Sequence, residues 1–214
     1  MKEEIILVGG GGHCKSAIDV IETHGGYDIV GIIDVKEKIG QKVLDYEIKW
    51  SDDEIPSLAE KGKNFLITVG QVENPNARIQ LFDKVKNAGG ILPAIKSPTA
   101  HVSRHAQLGE GTIVMHHTVV NADARVGSDC ILNTGCLLEH DVMVGDHCHI
   151  STHAAVNGTV RIGKGVFAGS KTVLSQSIEV GDGSVISSGS VVRKSIPENS
   201  LAFGNPLKIK EQNT

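Results

Sequence analysis

Aromatic side chains are almost absent: four Phe, two Tyr and one Trp make up 3% of the 214 residues. A bulky sandwich core is therefore a poor match, and the 25 glycines favour tight coils and sharp turns. No apolar run approaches the roughly 20 residues that a membrane span needs. The opening MKEEIILVGGGG also lacks the basic and long apolar regions of a secretory signal, so a cytoplasmic location is expected. An excess of cations is missing too: 21 Lys and Arg stand against 25 Asp and Glu, which points away from nucleic acid and anionic membranes as partners. There are only four cysteines, and neither C-x-x-C nor a Cys/His zinc pattern occurs, so no metal is expected.

What is present is a period. From Val102 through Leu108, Val114 and Val120 to Val192, every sixth residue is aliphatic without interruption. Two residues before each stands a mostly small side chain, as in Ala100, Ala106, Thr112, Thr118 and Ala124. A strict hexad is the signature of a parallel β-helix. Cys130, Cys136 and Cys148 fall on the small inward position and are predicted to be buried hydrophobes.

The first 95 residues follow a different pattern, β-α-β-β-α-β. Ile5 to Val8 reads as a buried parallel strand, Ser16 to His24 as a helix closed by Gly25-Gly26, and Ile29 to Asp34 as a second strand. Lys36 to Trp50 suggests short edge strands, Phe65 to Val69 a third clear strand, and Ala77 to Lys86 a helix. This alternation indicates a Rossmann-like α/β domain over residues 1–95, with a β-helix domain over 96–214 after Pro93 and Pro98. Pro197 and Pro206 flank an irregular tail expected to cap the last coil.

Two places carry candidate chemistry. The strand, Gly9-Gly10-Gly11-Gly12-His13 and helix sequence puts free N–H groups at a helix N-terminus, an anion site. Asp34 lies near the position of the ribose-contacting acid in dinucleotide folds, but Cys14 replaces the third glycine of G-x-G-x-x-G. A nucleoside diphosphate fits this half better than NAD. On the solenoid, if three hexads make one coil, residues 18 apart stack in columns. The column Ala122, His140, Gly158, Gln176 gives His140 open space and leaves the Gly158 N–H clear as an oxyanion donor. Asp141 follows His140 and continues the column of His105 and Asp123; a carboxylate there orients the imidazole. His117, Gly135 and His153 share another column, and His149 lines up with Ile131 and Phe167.

These residues resemble a known family. The hexad tract is similar to left-handed β-helix acyltransferases. The Gly9–His13 loop, Asp34, Thr68-Val69-Gly70, Leu138-Glu139-His140-Asp141 and Val144-Gly145-Asp146 resemble the sialic-acid O-acetyltransferase-like family. Its members include the bacillosamine-pathway N-acetyltransferases of UDP-4-amino-4,6-dideoxy sugars. The resemblance implies three hexads per coil, a homotrimer with sites between subunits, and acetyl-CoA as co-substrate. It implies His140 as general base, modulated by Asp141. It places acetyl-CoA at His149, Gly158, Ser170, Ser188 and Lys208, the last in Gly204-Asn205-Pro206-Leu207-Lys208. The nucleotide sugar, UDP-linked by this resemblance, falls on Gly11, Gly12, His13, Cys14, Asp34 and Gly70. Departures from the family touch only that pocket: Val35 where some members have a second acid, Cys14 where they have Gly, and a longer Gln71–Ala77 link.

The expected reaction is direct transfer from acetyl-CoA to a sugar C4 amine. O-acetylation of sialic acid or its nucleotide conjugate is an alternative with the same base. A γ-carbonic-anhydrase-like zinc enzyme is a weaker one: His117 and His153 match the interval between two ligands, but Gly158 stands at the third position. A solenoid that binds a nucleotide without chemistry is a further alternative, against which the intact Glu139-His140-Asp141 argues.

Overall fold

The computed structural model describes residues 2–72 and 74–211. The N-terminal part runs β1 (Glu3–Val8), α1 (Gly12–His24), β2 (Tyr27–Ile33), β3 (Lys42–Val43), β4 (Tyr46–Trp50), α2 (Ile55–Ala59), β5 (Asn64–Ile67) and α3 (Asn76–Asn87). One sheet orders them β3-β4-β2-β1-β5, parallel except for β3 on β4. The apolar run of β1 is buried on both faces. Ile5 and Leu7 pack with α1, and Ile6 and Val8 with α2 and α3. Helix α1 begins at Gly12, four residues before the predicted start. Glycine is penalised inside a helix, but here Gly11 and Gly12 only open it, in an extended-to-helical transition. Helix α2, absent from the sequence reading, is a short turn opened by Pro56.

From Ile95 onward the chain is a left-handed parallel β-helix of two-residue rungs. Partners are 18 residues apart, as in Val119↔Leu137, Arg125↔Met143 and Ile131↔His149. The second residue of each rung points inward and makes a continuous core from Val114 to Val192. Cys130, Cys136 and Cys148 lie in that core at 0% exposure, with free thiols.

The first residue of each rung points outward, and the three faces differ. One carries Ile95, Ile113, Ile131, His149 and Phe167, all buried. The α/β domain docks on this face through α1, with Ala17, Ile18 and Ile21 against Ile113, Met115 and Ile131. The second carries Val119, Leu137, Ala155, Val173 and Val191, an apolar column without a partner among the described residues. The third carries Gln107, Arg125, Met143, Arg161 and Glu179 and faces solvent.

Two polar clasps reinforce the docking face. His116 bonds Asp19 of α1 through Nε2 (2.8 Å) and Ser97 through Nδ1 (2.7 Å). Arg78 of α3 bonds Asp129 at 2.6 Å with both side chains almost wholly buried. The tail differs from the expected irregular cap. Ser200–Phe203 pairs with the rung Val185–Ile186, and Lys208–Glu211 folds back antiparallel on it, so the last sheet edge is closed by a hairpin. No described helix is long and apolar enough to cross a membrane.

Core burial predicts a steep contrast between the inside and the outside of the coil. Ile150→Ala, at 0% exposure, is expected to cost about 2–5 kcal/mol in urea unfolding. Met143→Ala on the polar face should cost less than about 1 kcal/mol. Equal losses would contradict the inward assignment.

Candidate functional site

The glycine turn after β1 is shaped by what presses on it. Gly9 has φ +107°, and a side chain there would collide with Val69. Gly10 donates its N–H to Asp34 Oδ2 at 2.8 Å. Gly11 and Gly12 face open space, and no side chain caps α1. The first turn of a 13-residue helix thus presents its N–H groups outward, a suitable seat for an anion. Gly70 lies beside it, 3.4 Å from the His13 Cβ by the position a Cβ would take.

Asp34 is more occupied than a ribose ligand need be. Besides Gly10 it accepts from Val35 N (2.7 Å) and from Lys38 Nζ through both oxygens (3.1 and 3.0 Å). Burial opposes ionisation, but these bonds outweigh it and hold the carboxyl below its ordinary range. Cys14 needs a correction. Its thiol is 0% exposed in the core under α1, and burial pushes it up to about 11. Its side chain therefore does not reach the mouth of the loop.

His13 and His149 meet where the loop touches the solenoid, with ring centroids 6.5 Å apart. His149 donates Nδ1–H to the Gln71 carbonyl (2.6 Å) and accepts at Nε2 from Asn133 (3.1 Å), which defines its tautomer. Burial lowers it to about 4. Burial, then the charge of Arg78, then His149 lower His13 to about 3. His13 Nε2 and Gln71 Oε1 are buried without a partner among the described residues.

His140 stands elsewhere, on the edge between the apolar and polar faces, opposite the docking face. Asp141, in the left-handed region at φ +61°, turns its carboxylate onto His140 Nδ1 at 2.8 Å. Nε2 is then free and lies over Gly158, where a Cβ would come within 2.7 Å. Among the described residues the Gly158 N–H has no acceptor, while its carbonyl takes bonds from Ser177 N and Thr159 Oγ1. Ser170 Oγ meets Ser151 Oγ at 3.0 Å; Ser188 and Lys208 are exposed farther along the coil and its hairpin. Within one chain, His140 and the glycine turn are not brought together. No group of three His, Cys, Asp or Glu side chains among the described residues is placed to hold a metal, and His117 and His153 stand two coils apart.

Comparison with known proteins bears on this arrangement. Residues 4–85 match the family model of the PglD N-terminal domain. Over 98% of the chain and 97% of the other, the fold matches a His-to-Asn variant of perosamine N-acetyltransferase from Caulobacter crescentus, solved with CoA and GDP-perosamine, at 30% identity and TM-score 0.90. The chain belongs to this family of amino-sugar N-acetyltransferases. The acetyltransferase domain of PglB from Neisseria gonorrhoeae, solved with acetyl coenzyme A, matches at 27% identity and TM-score 0.89, over 97% of this chain and 99% of that one. WeeI from Acinetobacter baumannii shares the fold at 21% identity and TM-score 0.86, over 98% and 100%. No curated protein matches the chain in sequence.

Several polar residues packed around this region were missed in reading the sequence. Lys38 sits four residues after Asp34, within reach on a single turn. Asp129 and His147 are 18 apart and so share a column; their side chains bond at 3.0 Å. Arg78 lies three and four residues before Leu81 and Phe82, a cation on the apolar stripe of α3. That spacing was the available signal for a buried charge.

The two depressed imidazoles set the acid response. Above the ordinary value of 6.5 neither state holds the proton, so stability is flat. As pH falls from 6.5 toward about 4 for His149 and about 3 for His13, the unfolded chain binds protons that the folded one refuses, and stability is lost. Each group contributes a slope of up to about 1.4 kcal/mol per pH unit. In urea titrations between pH 7 and 4.5, His149→Gln should show a shallower slope than wild type. An identical slope would count against neutral burial.

Proposed function

We propose that this protein transfers the acetyl group of acetyl-CoA to the C4 amine of a nucleotide-linked 4-amino-4,6-dideoxy sugar. The observation that carries the reading is His140, bonded to Asp141 through Nδ1 and set with Nε2 over the cleared Gly158. Together with the family relation, that geometry supports a general base beside an oxyanion donor. The diphosphate takes the N–H groups of Gly11, Gly12 and His13 at the α1 N-terminus, with Gly70 and the Asp34–Lys38 pair beside it.

In the reaction the neutral amine attacks the thioester carbonyl, and His140 Nε2 accepts the proton released from nitrogen. Asp141 stabilises the imidazolium. The Gly158 N–H stabilises the oxyanion. Collapse of the tetrahedral intermediate expels the CoA thiolate, which takes the proton back from His140. No acyl-enzyme is required, since an amine is already a capable nucleophile. His149, Ser170, Ser188 and Lys208 are assigned to acetyl-CoA.

The site is assembled between copies, in a homotrimer. His140 is on the edge opposite the docking face, which supports a glycine turn supplied by another copy. The apolar column Val119, Leu137, Ala155, Val173 and Val191 supports self-association, with Val173 still 38% exposed. The nucleotide is left as a class, since the structurally similar perosamine enzyme was solved with a GDP sugar.

Thiol release from acetyl-CoA across UDP-, GDP- and dTDP-linked 4-amino sugars, with sialic acid as a hydroxyl acceptor, tests the reaction. An amino sugar should be turned over, and turnover confined to sialic acid would overturn the reading. His140→Ala should lower kcat by about 10²–10⁴-fold with little change in the KM for acetyl-CoA. Wild-type kcat in that variant would remove His140 from the mechanism.

Shared sites predict complementation. Mixing inactive His140→Ala with an inactive Gly12→Asp variant, whose carboxylate repels the phosphates, and reassembling them should restore part of the activity. Light scattering should give a trimer. No recovery in mixed trimers would place the whole site in one copy.

A further inference from the structure

We propose that Arg78 is a positioning residue for nucleotide-sugar binding: its guanidinium holds the Val69–Gln71 segment, and through it both the glycine turn and His149. The inference rests on the function proposed above. Arg78 is 1% exposed and uses its whole fork. Nη1 donates to the carbonyls of Ile67 (2.9 Å) and Val69 (2.8 Å). Nε and Nη2 donate to the Asp129 carbonyl (3.2 Å each), and Nη2 also reaches Asp129 Oδ1 (2.6 Å). His147 Nδ1 meets the other carboxylate oxygen at 3.0 Å, and its ring packs edge-on against Phe82 of α3. Burial pushes the Asp129 carboxyl up from its ordinary value, and Arg78 and His147 pull against that shift; a guanidinium keeps its proton inside proteins.

The segment that Arg78 grips borders both the glycine turn and His149. Val69 presses on Gly9, the residue that forces the turn. Thr68 Oγ1 donates to the Gly9 carbonyl at 2.7 Å. Gly70 packs beside His13. Gln71 takes the Nδ1–H of His149 on its carbonyl and gives Nε2–H to the Gly165 carbonyl. One guanidinium therefore sets the floor of the anion seat and the tautomer of the imidazole beside it.

Docking alone does not require this charge. Elsewhere the seam is closed by Ile18, Ile21, Ile113 and Ile131 and by the His116–Asp19 clasp, and a buried ion pair is seldom more stabilising than apolar packing of the same volume. The pair occurs where the seam borders the glycine turn. Lys cannot replace it, because three donors on one atom do not match a planar fork that serves carbonyls on two sides.

Two variants separate positioning from simple loss of fold. Arg78→Lys keeps a cation opposite Asp129. Arg78→Met with Asp129→Asn removes both charges and keeps an acceptor for His147. For each, the KM for the nucleotide sugar should rise about tenfold or more, and the KM for acetyl-CoA should rise with it, because the same segment holds His149. A merely structural role would lower the active fraction and leave both KM values alone. Calorimetry with UDP, GDP and dTDP should show the same loss of nucleotide affinity without turnover, so it still tests Arg78 if the wild type acetylates no amino sugar. In ¹⁵N-histidine spectra the wild type should show His149 as the Nδ1–H tautomer, and the variants should lose that signature. Wild-type nucleotide affinity in either folded variant, or a wild-type His149 without the Nδ1–H tautomer, would overturn the proposal.

Discussion

Stacking of successive coils at 18 residues is the constraint on which the rest of the molecule depends. Each rung has only two residues, so no rung is stable alone; its N–H and C=O groups are satisfied by the rungs above and below. Because the register never slips between Val102 and Val192, side chains 18 apart are obligatory neighbours. That is why Gly158 leaves room for His140 and why His147 can reach Asp129. An insertion not divisible by six between residues 140 and 147 would turn an inward residue outward and break both pairs at once.

Much of this was readable because the period is short and strict. The inward column, the burial of three cysteines and the pairing of His140 with Gly158 follow from counting alone. The outward column was equally countable and tells the faces apart: isoleucines where the α/β domain docks, valine and leucine on the unpartnered face, and charge on the third. What counting could not supply was long-range docking. His149 aligns with Ile131 and Phe167 by number, yet nothing local says that Gln71 will cover it. Cys14 looks like part of the loop because it follows the glycines, but one further helical step turns its side chain into the core. The tail reads as irregular because its prolines interrupt the hexad, although a hairpin needs only an edge strand to pair with.

The charges around the glycine turn explain how an anion seat can carry an aspartate. An isolated carboxylate beside Gly10 would repel a diphosphate. Here Lys38 bonds both Asp34 oxygens, and two backbone N–H groups use the remaining lone pairs. The aspartate is thereby converted from a repulsive charge into a brace for the turn, while the ammonium, 44% exposed, remains available to the ligand. In the proposed site, a ribose hydroxyl would meet Asp34 by displacing Lys38 from it.

The separation of His140 from the glycine turn has a chemical consequence as well as a geometric one. A base that must accept a proton from an amine needs a free nitrogen, and His140 Nε2 has one because Asp141 engages only Nδ1. In one chain that nitrogen is open to water, and the His140 side chain is 56% exposed. Water there competes for the lone pair and weakens the attraction between imidazolium and carboxylate through screening. Covering the apolar face with a second copy would exclude that water and bring an acceptor site up to the base in the same step. In the proposed assembly this would strengthen the electrostatics on which the transfer depends, and the hydrophobic column, which has no partner among the described residues, would serve catalysis as well as association.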